Sequence, residues 1–318
     1  MLPVKLEILM ATYNGEAWLD AQMESLLAQE GIENWTLSIQ DDRSTDDTLK
    51  ILETWRQRYP SSIQYTVNAG PRGPAANFSS LLQRRLREGQ AQYFLFCDQD
   101  DVWHPWHLRA LYEELHNLNL VYGADTPCLA HGDLEVCDGE MRGIAASFWK
   151  HQALDPKKNS LNRLLLQNVV TGCATGINRA LAERAGPVPE EAIMHDWWLA
   201  LVASAFGHIK PVSRKIVRYR VHGGNACGTA TRALSWTHIR SRLKRGGPGL
   251  QTLLQPYYRQ ARVFSEQFQG QLSVDQQASL RAFQNLADQG WWEKRLAILR
   301  HGFWKQEWIR NMAWFLRV

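Results

Sequence analysis

The run Tyr93-Phe94-Leu95-Phe96-Cys97 is apolar and strand-like, and it ends abruptly in Asp98-Gln99-Asp100-Asp101. Several carboxylates at the end of a strand concentrate negative charge at a sheet edge. Crowding them costs free energy unless they are paired or coordinate a metal. Oxygen-only donors favour hard ions, Mg²⁺ or Mn²⁺, over zinc, and such a cluster can grip a metal-bound diphosphate. Read alone, Asp-Gln-Asp-Asp after a strand is equally an ordinary loop that opens a helix.

Other segments carry polar groups at similar places. Asp41-Asp42-Arg43-Ser44-Thr45-Asp46-Asp47 lies between a short strand and a helix expected from Thr48. Asp46 and Asp47 suit helix capping, whereas Asp41 and Asp42 sit at the strand end, where a carboxylate can accept from a ribose hydroxyl or a pyrimidine N–H. Gly70-Pro71-Arg72-Gly73-Pro74 is either a plain surface turn or a rigid mount that presents the Arg72 fork to a diphosphate. His195-Asp196-Trp197-Trp198 opens an apolar helix; Asp196 is then a helix-start acid or a general base, flanked by indoles able to stack on a sugar or lipid head. A lone histidine is usually structural, but His222 ends a strand where the upstream carboxylates still lack a nitrogen ligand, which points to a metal contact.

These residues need a frame that brings strand ends together. Lys5–Thr12, Thr36–Gln40, Ser62–Val67 and Gln92–Asp98 read as strands, alternating with helices over Glu16–Gln29, Thr48–Arg58 and Asn77–Arg87. That rhythm implies a mostly parallel sheet with helices on both faces and ligands beyond the carboxyl ends of the strands. Thr12-Tyr13-Asn14, Asp41-Asp42 and Asp98-Gln99-Asp100 all stand at such ends. Further on, a helix is expected over Trp106–His116, strands over Cys128–Val136, Val169–Ile177 and Ile216–Val221, and a helix over His195–Phe206. This half is expected to hold the second substrate.

The chain of 318 residues can bury a full core, and its five cysteines are scattered without Cys-x-x-Cys spacing, against both a disulfide framework and a zinc site. It has no Gly-x-Gly-x-x-Gly after the first strand and no P-loop, which argues against a dinucleotide oxidoreductase and a P-loop ATPase. The N-terminus runs straight into a strand with no signal-peptide pattern, and no apolar run reaches the roughly 18 to 20 residues that span a bilayer. A reducing, cytoplasmic setting is expected. Fourteen Trp are a surplus that suits sugars or lipids. From Thr229 to Val318 about 14 Lys and Arg stand against about 5 Asp and Glu, and Gly246-Gly247-Pro248-Gly249 reads as a turn within an otherwise helical stretch. Near the end, Trp292, Leu296, Leu299 and Phe303, then Trp304, Trp308, Met312 and Phe315, recur at helical spacing, with Lys294, Arg295, Arg300, Lys305 and Arg310 expected on the other face. Such helices fit an anionic membrane interface, or pack on the catalytic domain or in a homodimer. No nucleic-acid module accompanies them.

Taken in order, Ala11-Thr12-Tyr13-Asn14-Gly15, Asp41-Asp42-Arg43-Ser44-Thr45-Asp46, Asp98-Gln99-Asp100-Asp101, His195-Asp196-Trp197-Trp198 and Tyr219-Arg220-Val221-His222 closely resemble glycosyltransferase family 2, over about residues 4 to 228. The resemblance implies an α/β GT-A fold, Rossmann-like with a mostly parallel central sheet and flanking helices, over 1–228. A basic, Trp-rich helical region follows over 229–318. It implies a donor site at Thr12, Tyr13, Asn14, Asp41, Asp42, Arg72, Asp98 and Gln99, and a divalent metal (Mg²⁺ or Mn²⁺) on Asp100 and His222. Asp196 is then the catalytic base, and Thr171, Gly172, His195, Trp197 and Trp198 are the acceptor contacts. The implied reaction inverts the sugar: the base deprotonates the acceptor hydroxyl as a nucleoside diphosphate leaves. Arg72 or Arg220 would help with the charge. Two departures stand out, Arg43 where the family usually has Gly and His195 where it often has Glu. A narrower likeness to the rhamnosyltransferase branch implies dTDP-rhamnose as donor and a surface-polysaccharide or lipid-linked glycan as acceptor, at the cytoplasmic face of the inner membrane. UDP-galactose or UDP-N-acetylglucosamine as donor, a nucleotidyltransferase, or an inactive glycan-binding scaffold are the competing readings. The nucleotidyltransferase needs a Gly-rich basic loop after the first strand, which Ala11–Gly15 does not supply.

Overall fold

The computed structural model describes residues 6–223 and 250–318. Lys5, Cys227, the turn expected at Gly246–Gly249 and the boundary placed at 228/229 lie outside the described residues. The chain divides into two compact units, one made of residues 1–148, 170–188 and 194–220, the other of 149–169, 189–193 and 221–318.

The first unit holds a nine-stranded sheet: β1 Leu6–Thr12, β2 Trp35–Asp41, β3 Ile63–Val67, β4 Tyr93–Asp98, β5 Val102–Trp103, β6 Cys128–Cys137, β7 Gly143–Ala145, β8 Thr175–Asn178 and β9 His208–Arg220. The order is β3-β2-β1-β4-β8-β6-β9-β5, with β7 on β6. Helices α1 (Leu19–Leu27), α2 (Thr48–Arg58) and α3 (Pro74–Glu88) link the first four strands, which pair in parallel as their alternation with helices requires. Ile8, Leu9 and Met10 on β1 and Phe94, Leu95 and Phe96 on β4 are all buried, because a parallel strand covered on both faces has no polar side. Helix α3 begins at Pro74, three residues earlier than Asn77, since proline fits the first helical turn, where no N–H is needed.

Beyond β4 the sheet becomes mixed. β8 runs antiparallel to both β4 and β6, β6 and β9 are parallel, and β5 is antiparallel to β9. The sequence pattern places the last strand at Ile216, yet β9 starts at His208; Pro211 and the charged Lys210, Arg214 and Lys215 mask it. A register shift between β6 and β9 after His131–Pro211 accommodates the proline, which has no N–H for the ladder. The strand expected from Val169 begins only at Thr175, after a tight 3-10 turn over Gly172–Ala174. Helix α4 (His107–Tyr122) continues past His116 and packs on β6 and β9. It is followed in the chain by the short α5 (Phe148–Gln152) and α6 (Leu161–Leu164), then α7 (Arg179–Ala185) and α8 (His195–Phe206). Buried Asn178 caps α7 by accepting from Leu181 N, and also accepts from Cys128 N.

In the second unit, α9 (Leu250–Gln267), α10 (Val274–Gln284), α11 (Trp291–His301) and α12 (Trp308–Arg317) carry the helical character expected of this region. Ser273 and Gln276 form a capping box on α10, and α11 stops at Gly302, whose φ of 67° suits glycine. Arg295, expected on a charged outer face, is instead buried: its guanidinium stacks on Trp291 and donates to the carbonyls of Trp291, Leu316 and Val318. The fork satisfies carbonyls near the end of α12 that lack helical partners. Among the described residues no helix is long and apolar enough to cross a membrane.

Candidate active site

Register alone brings the chemistry to one edge. Thr12 pairs with Asp41 across β1/β2 and Ala11 with Asp98 across β1/β4, so the three strands end together. Their loops are laced by side chains. Thr12 Oγ1 donates to Asp41 Oδ2 (2.9 Å), and Ser44 donates from N (2.8 Å) and Oγ (2.6 Å) to the same carboxylate. Asp41 is wholly buried, so its carboxylate fastens β1 to the following loop. Asp42 accepts from Asn68 Nδ2 and Gly73 N, both at 2.8 Å, and so holds the 68–73 turn. Asn14, at φ 46°, donates from N to Ser44 Oγ and accepts from Thr45 N. Gln99 pairs both amide ends with the backbone of Tyr13 at 2.8 Å, one bond each way. A Cβ on Gly15 would come within 2.3 Å of that amide, which explains the glycine. Arg43 does adopt positive φ, 65°, a conformation that costs a side-chain-bearing residue about 1 kcal/mol. The exposed ring of Tyr13 lies under the Arg72 guanidinium, 5.8 Å from the ring centre, and Arg72 also donates to Arg43 O at 3.1 Å. Together they form an open aromatic and cationic edge.

The carboxylates after β4 are electrostatically crowded. Burial, then the neighbouring Asp100 and Asp196 carboxylates, push Asp98 up to about 8. Burial also drives Asp101 well above its ordinary range, with Asp100 and Asp98 adding to the effect. Asp101 Oδ1 accepts from Arg220 N at 3.0 Å, while its buried Oδ2 has no hydrogen-bond partner. Among the described residues, Asp98, Asp101 and Cys173 offer ligand atoms that lie within 4.8 Å of one another. Asp100, expected as the metal ligand, stands outside that group. Burial raises the Cys173 thiol as well, so it stays protonated and is a poor partner for a hard cation. The crowded carboxylates, one with an orphan oxygen, fit a divalent ion, which would reverse the penalty that now protonates them. His222 belongs to the second unit. Arg220, considered for the diphosphate, is buried with its guanidinium donating to Asp100 O (2.8 Å) and Gly139 O. It clamps the acidic turn to the end of β9 and has little surface for a ligand.

Helix α8 delivers Asp196 to the same place. Its carboxyl is pushed by burial up to about 6, against hydrogen bonds from the backbone of Trp197 and Gly172 that favour the ionised form. The His195 ring, 5.1 Å from that of Phe96, places the start of α8 beside the end of β4. The flanking residues do something different from the expectation. His195 lies between Phe78 and Phe96, with ring centres 4.2 and 5.1 Å away, and burial lowers it to about 3. Neither of its nitrogens has a hydrogen-bond partner. Trp198 is completely buried, its indole N–H donating to Ala185 O at 3.4 Å, and Trp197 is buried too. These three side chains are therefore wedges that seat α8 in the core and present no stacking face to an acceptor. A nearly all-apolar helix is buried all round, so its tryptophans go inward. Gly172 is buried beside them: a Cβ there would meet His195 Nε2 at 3.1 Å and Asp196 Oδ2 at 3.6 Å. Thr171 is partly exposed and accepts, through its carbonyl, from Thr175 Oγ1 at 2.7 Å. Asp101 was legible as part of the carboxylate cluster, but Cys173 was invisible as a site residue in the sequence, because its approach to Asp98 and Asp101 depends on the 3-10 turn after Thr171.

A half-parallel sheet with carboxylates on its central strand end, met by an acid from a late helix, is an α/β arrangement of the GT-A type. The model of the family Glycosyl transferase family 2 matches residues 7–183, and the chain belongs to that family. The dTDP-rhamnosyl transferase RfbG of Shigella flexneri is 40% identical over 96 residues, covering 30% of this chain and 32% of that protein. An uncharacterized glycosyltransferase, alr2836, of Nostoc sp. is 24% identical over 245 residues, 75% of this chain and 71% of the relative. The crystal structure of S. aureus TarS 1-349 in complex with UDP-GlcNAc superposes with a TM-score of 0.57 at 17% identity, covering 88% of this chain and 70% of that one. The mannosyltransferase PcManGT from Pyrobaculum calidifontis, in complex with GDP-Man and Mn²⁺, does so with 0.50 at 16% identity, covering 98% and 86%. The chain thus carries a glycosyltransferase family 2 domain, and it spans about a third of the length of its RfbG relative.

Proposed function

We propose that this enzyme inverts the sugar it transfers, taking rhamnose from dTDP-rhamnose to a surface-polysaccharide or lipid-linked glycan. The observation that carries the inverting mechanism is the buried Asp196 carboxyl, poised at about 6 beside the end of β4. A base with that value is mostly ionised at neutral pH yet basic enough to take a proton. Asp196 accepts the hydroxyl proton of the acceptor as its oxygen attacks the anomeric carbon; the C–O bond to the diphosphate breaks on the opposite face, and the electron pair leaves with the nucleotide. Thr12, Tyr13, Asn14, Asp41 and Asp42 surround the nucleoside, with the Tyr13 ring and Arg72 at the open edge. Asp98 and Asp101, flanked by Asp100, would hold a Mg²⁺ or Mn²⁺ ion, which when bound would supply neutralising charge to the diphosphate. The rhamnose donor is supported by the RfbG relative, over a stretch that covers 32% of that protein. A UDP-GlcNAc donor is the second reading, favoured by the fold's likeness to TarS.

The test is donor turnover by the purified protein across dTDP-rhamnose, UDP-N-acetylglucosamine and UDP-galactose, with Mn²⁺, Mg²⁺ or EDTA and a lipid-linked acceptor. Metal-dependent turnover of dTDP-rhamnose alone supports the first reading. Preference for a UDP-sugar transfers the proposal to the second, and equal turnover in EDTA removes the metal from it.

A further inference from the structure

We infer that α11 and α12 form a docking surface for an anionic lipid bilayer. Trp292, Leu296 and Leu299 on α11 follow i, i+4, i+7 spacing, and Trp308, Met312 and Leu316 on α12 follow i, i+4, i+8. Each of the six is more than half exposed, as is Trp291. Each stripe is the outer one: the inner face of α11 is Arg295, Ala297 and Ile298, and that of α12 is Trp314, whose indole N–H donates to Phe303 O at 3.0 Å. A helix in water normally turns its apolar stripe inward, so large apolar residues lining the outer face of two successive helices mark an interaction surface.

Charge selects the occupant. The acids of these helices are engaged: Glu293 accepts from Gly290 N at 2.9 Å, and Glu307 pairs with Arg310 at 3.2 Å. Lys294 and Arg300 have no ion-pair partner among the described residues, so the stripe on α11 is bordered by uncompensated positive charge. A two-fold pairing of this face with a second copy would bring those cations toward their own counterparts, whereas an anionic headgroup layer complements them. Three exposed indoles suit the same place, with an apolar body below and an N–H at headgroup level. The helices are about 15 Å long at 1.5 Å per residue, too short to cross a bilayer and long enough to lie in its surface.

The experiment is co-sedimentation of the full chain with vesicles of phosphatidylcholine alone and of phosphatidylcholine with phosphatidylglycerol, alongside sedimentation velocity without vesicles. The wild type is expected to pellet with the anionic vesicles and to be released as salt rises. Trp292→Ala and Trp308→Ala should each weaken partitioning about tenfold. Lys294→Glu with Arg300→Glu should abolish the preference for phosphatidylglycerol. All these side chains lie outside the catalytic centre, so donor turnover in solution should be unchanged, which separates this surface from the catalytic reading. Equal partitioning by the tryptophan variants, or a wild type that stays in the supernatant with both vesicle types, overturns the inference. So does a concentration-dependent dimer that those variants disrupt without any loss of vesicle binding, since the stripe would then be a subunit interface.

Discussion

Replacing Asp196 by Asn should remove activity and stabilise the protein together. Burial raises this carboxyl from the ordinary 3.8 to about 6. That difference corresponds to about 3 kcal/mol of disfavoured ionisation at neutral pH. The sign follows from proton binding: between about 4 and 6 the folded state holds a proton that the unfolded state has released, so stability falls as pH rises through that window and stays low above it. Asn cannot ionise and can keep one acceptor toward the Gly172 and Trp197 backbone, so D196N should gain up to about 3 kcal/mol at pH 8 and almost nothing at pH 4. Loss of the base should lower turnover roughly a hundred- to ten-thousand-fold. In the wild type, ionisation near 6 means that kcat/KM falls about tenfold between pH 7 and pH 5, whereas an unperturbed carboxyl would leave it nearly flat. Donor turnover against pH and urea denaturation of both proteins at pH 4 and pH 8 measure all three effects. A flat rate between pH 5 and 7, or a D196N protein less stable than wild type at pH 8, would refute the reasoning.

Asp98, raised to about 8, holds a proton in the folded state that a divalent cation would displace, so Mn²⁺ should raise the Tm more at pH 8 than at pH 5.5 in a melting series. Gly172→Ala puts a methyl 3.1 Å from a histidine ring already trapped between two phenylalanines; a loss of about 1–3 kcal/mol is expected by denaturation, with reduced turnover because the backbone that bonds Asp196 shifts. Trp198→Ala should cost about 3–5 kcal/mol through the cavity it leaves, while the KM for a soluble acceptor in the surviving fold stays unchanged; a large rise in that KM with intact stability would restore the stacking role.

The strand–helix rhythm up to Asp98 was legible because it rests on local periodicity, and the strands lie where the alternation of apolar runs and turn residues places them. Helix α8 was equally plain, matching His195–Phe206 residue for residue. The positions of Thr12, Asp41 and Asp98 at one edge follow from parallel pairing, so they too could be read from strand ends. The length of β9 could not, since a strand that takes its partners from distant β6 and β5 tolerates a proline and charges that a local pattern rejects.

The chemistry of the site divides in the same way. Residue types in order determine that carboxylates crown a central strand and that an acid opens a late helix. Which of their neighbours face a ligand is decided by packing: Trp197, Trp198 and His195 go into the core, Arg220 spends its fork on backbone carbonyls, and Cys173 joins Asp98 and Asp101 across more than seventy residues of chain. Protonation belongs wholly to the tertiary level. Asp98 and Asp196 are the same residue type with the same ordinary value, and they part to about 8 and about 6 because only the fold sets how much water each loses and which charges stand beside it.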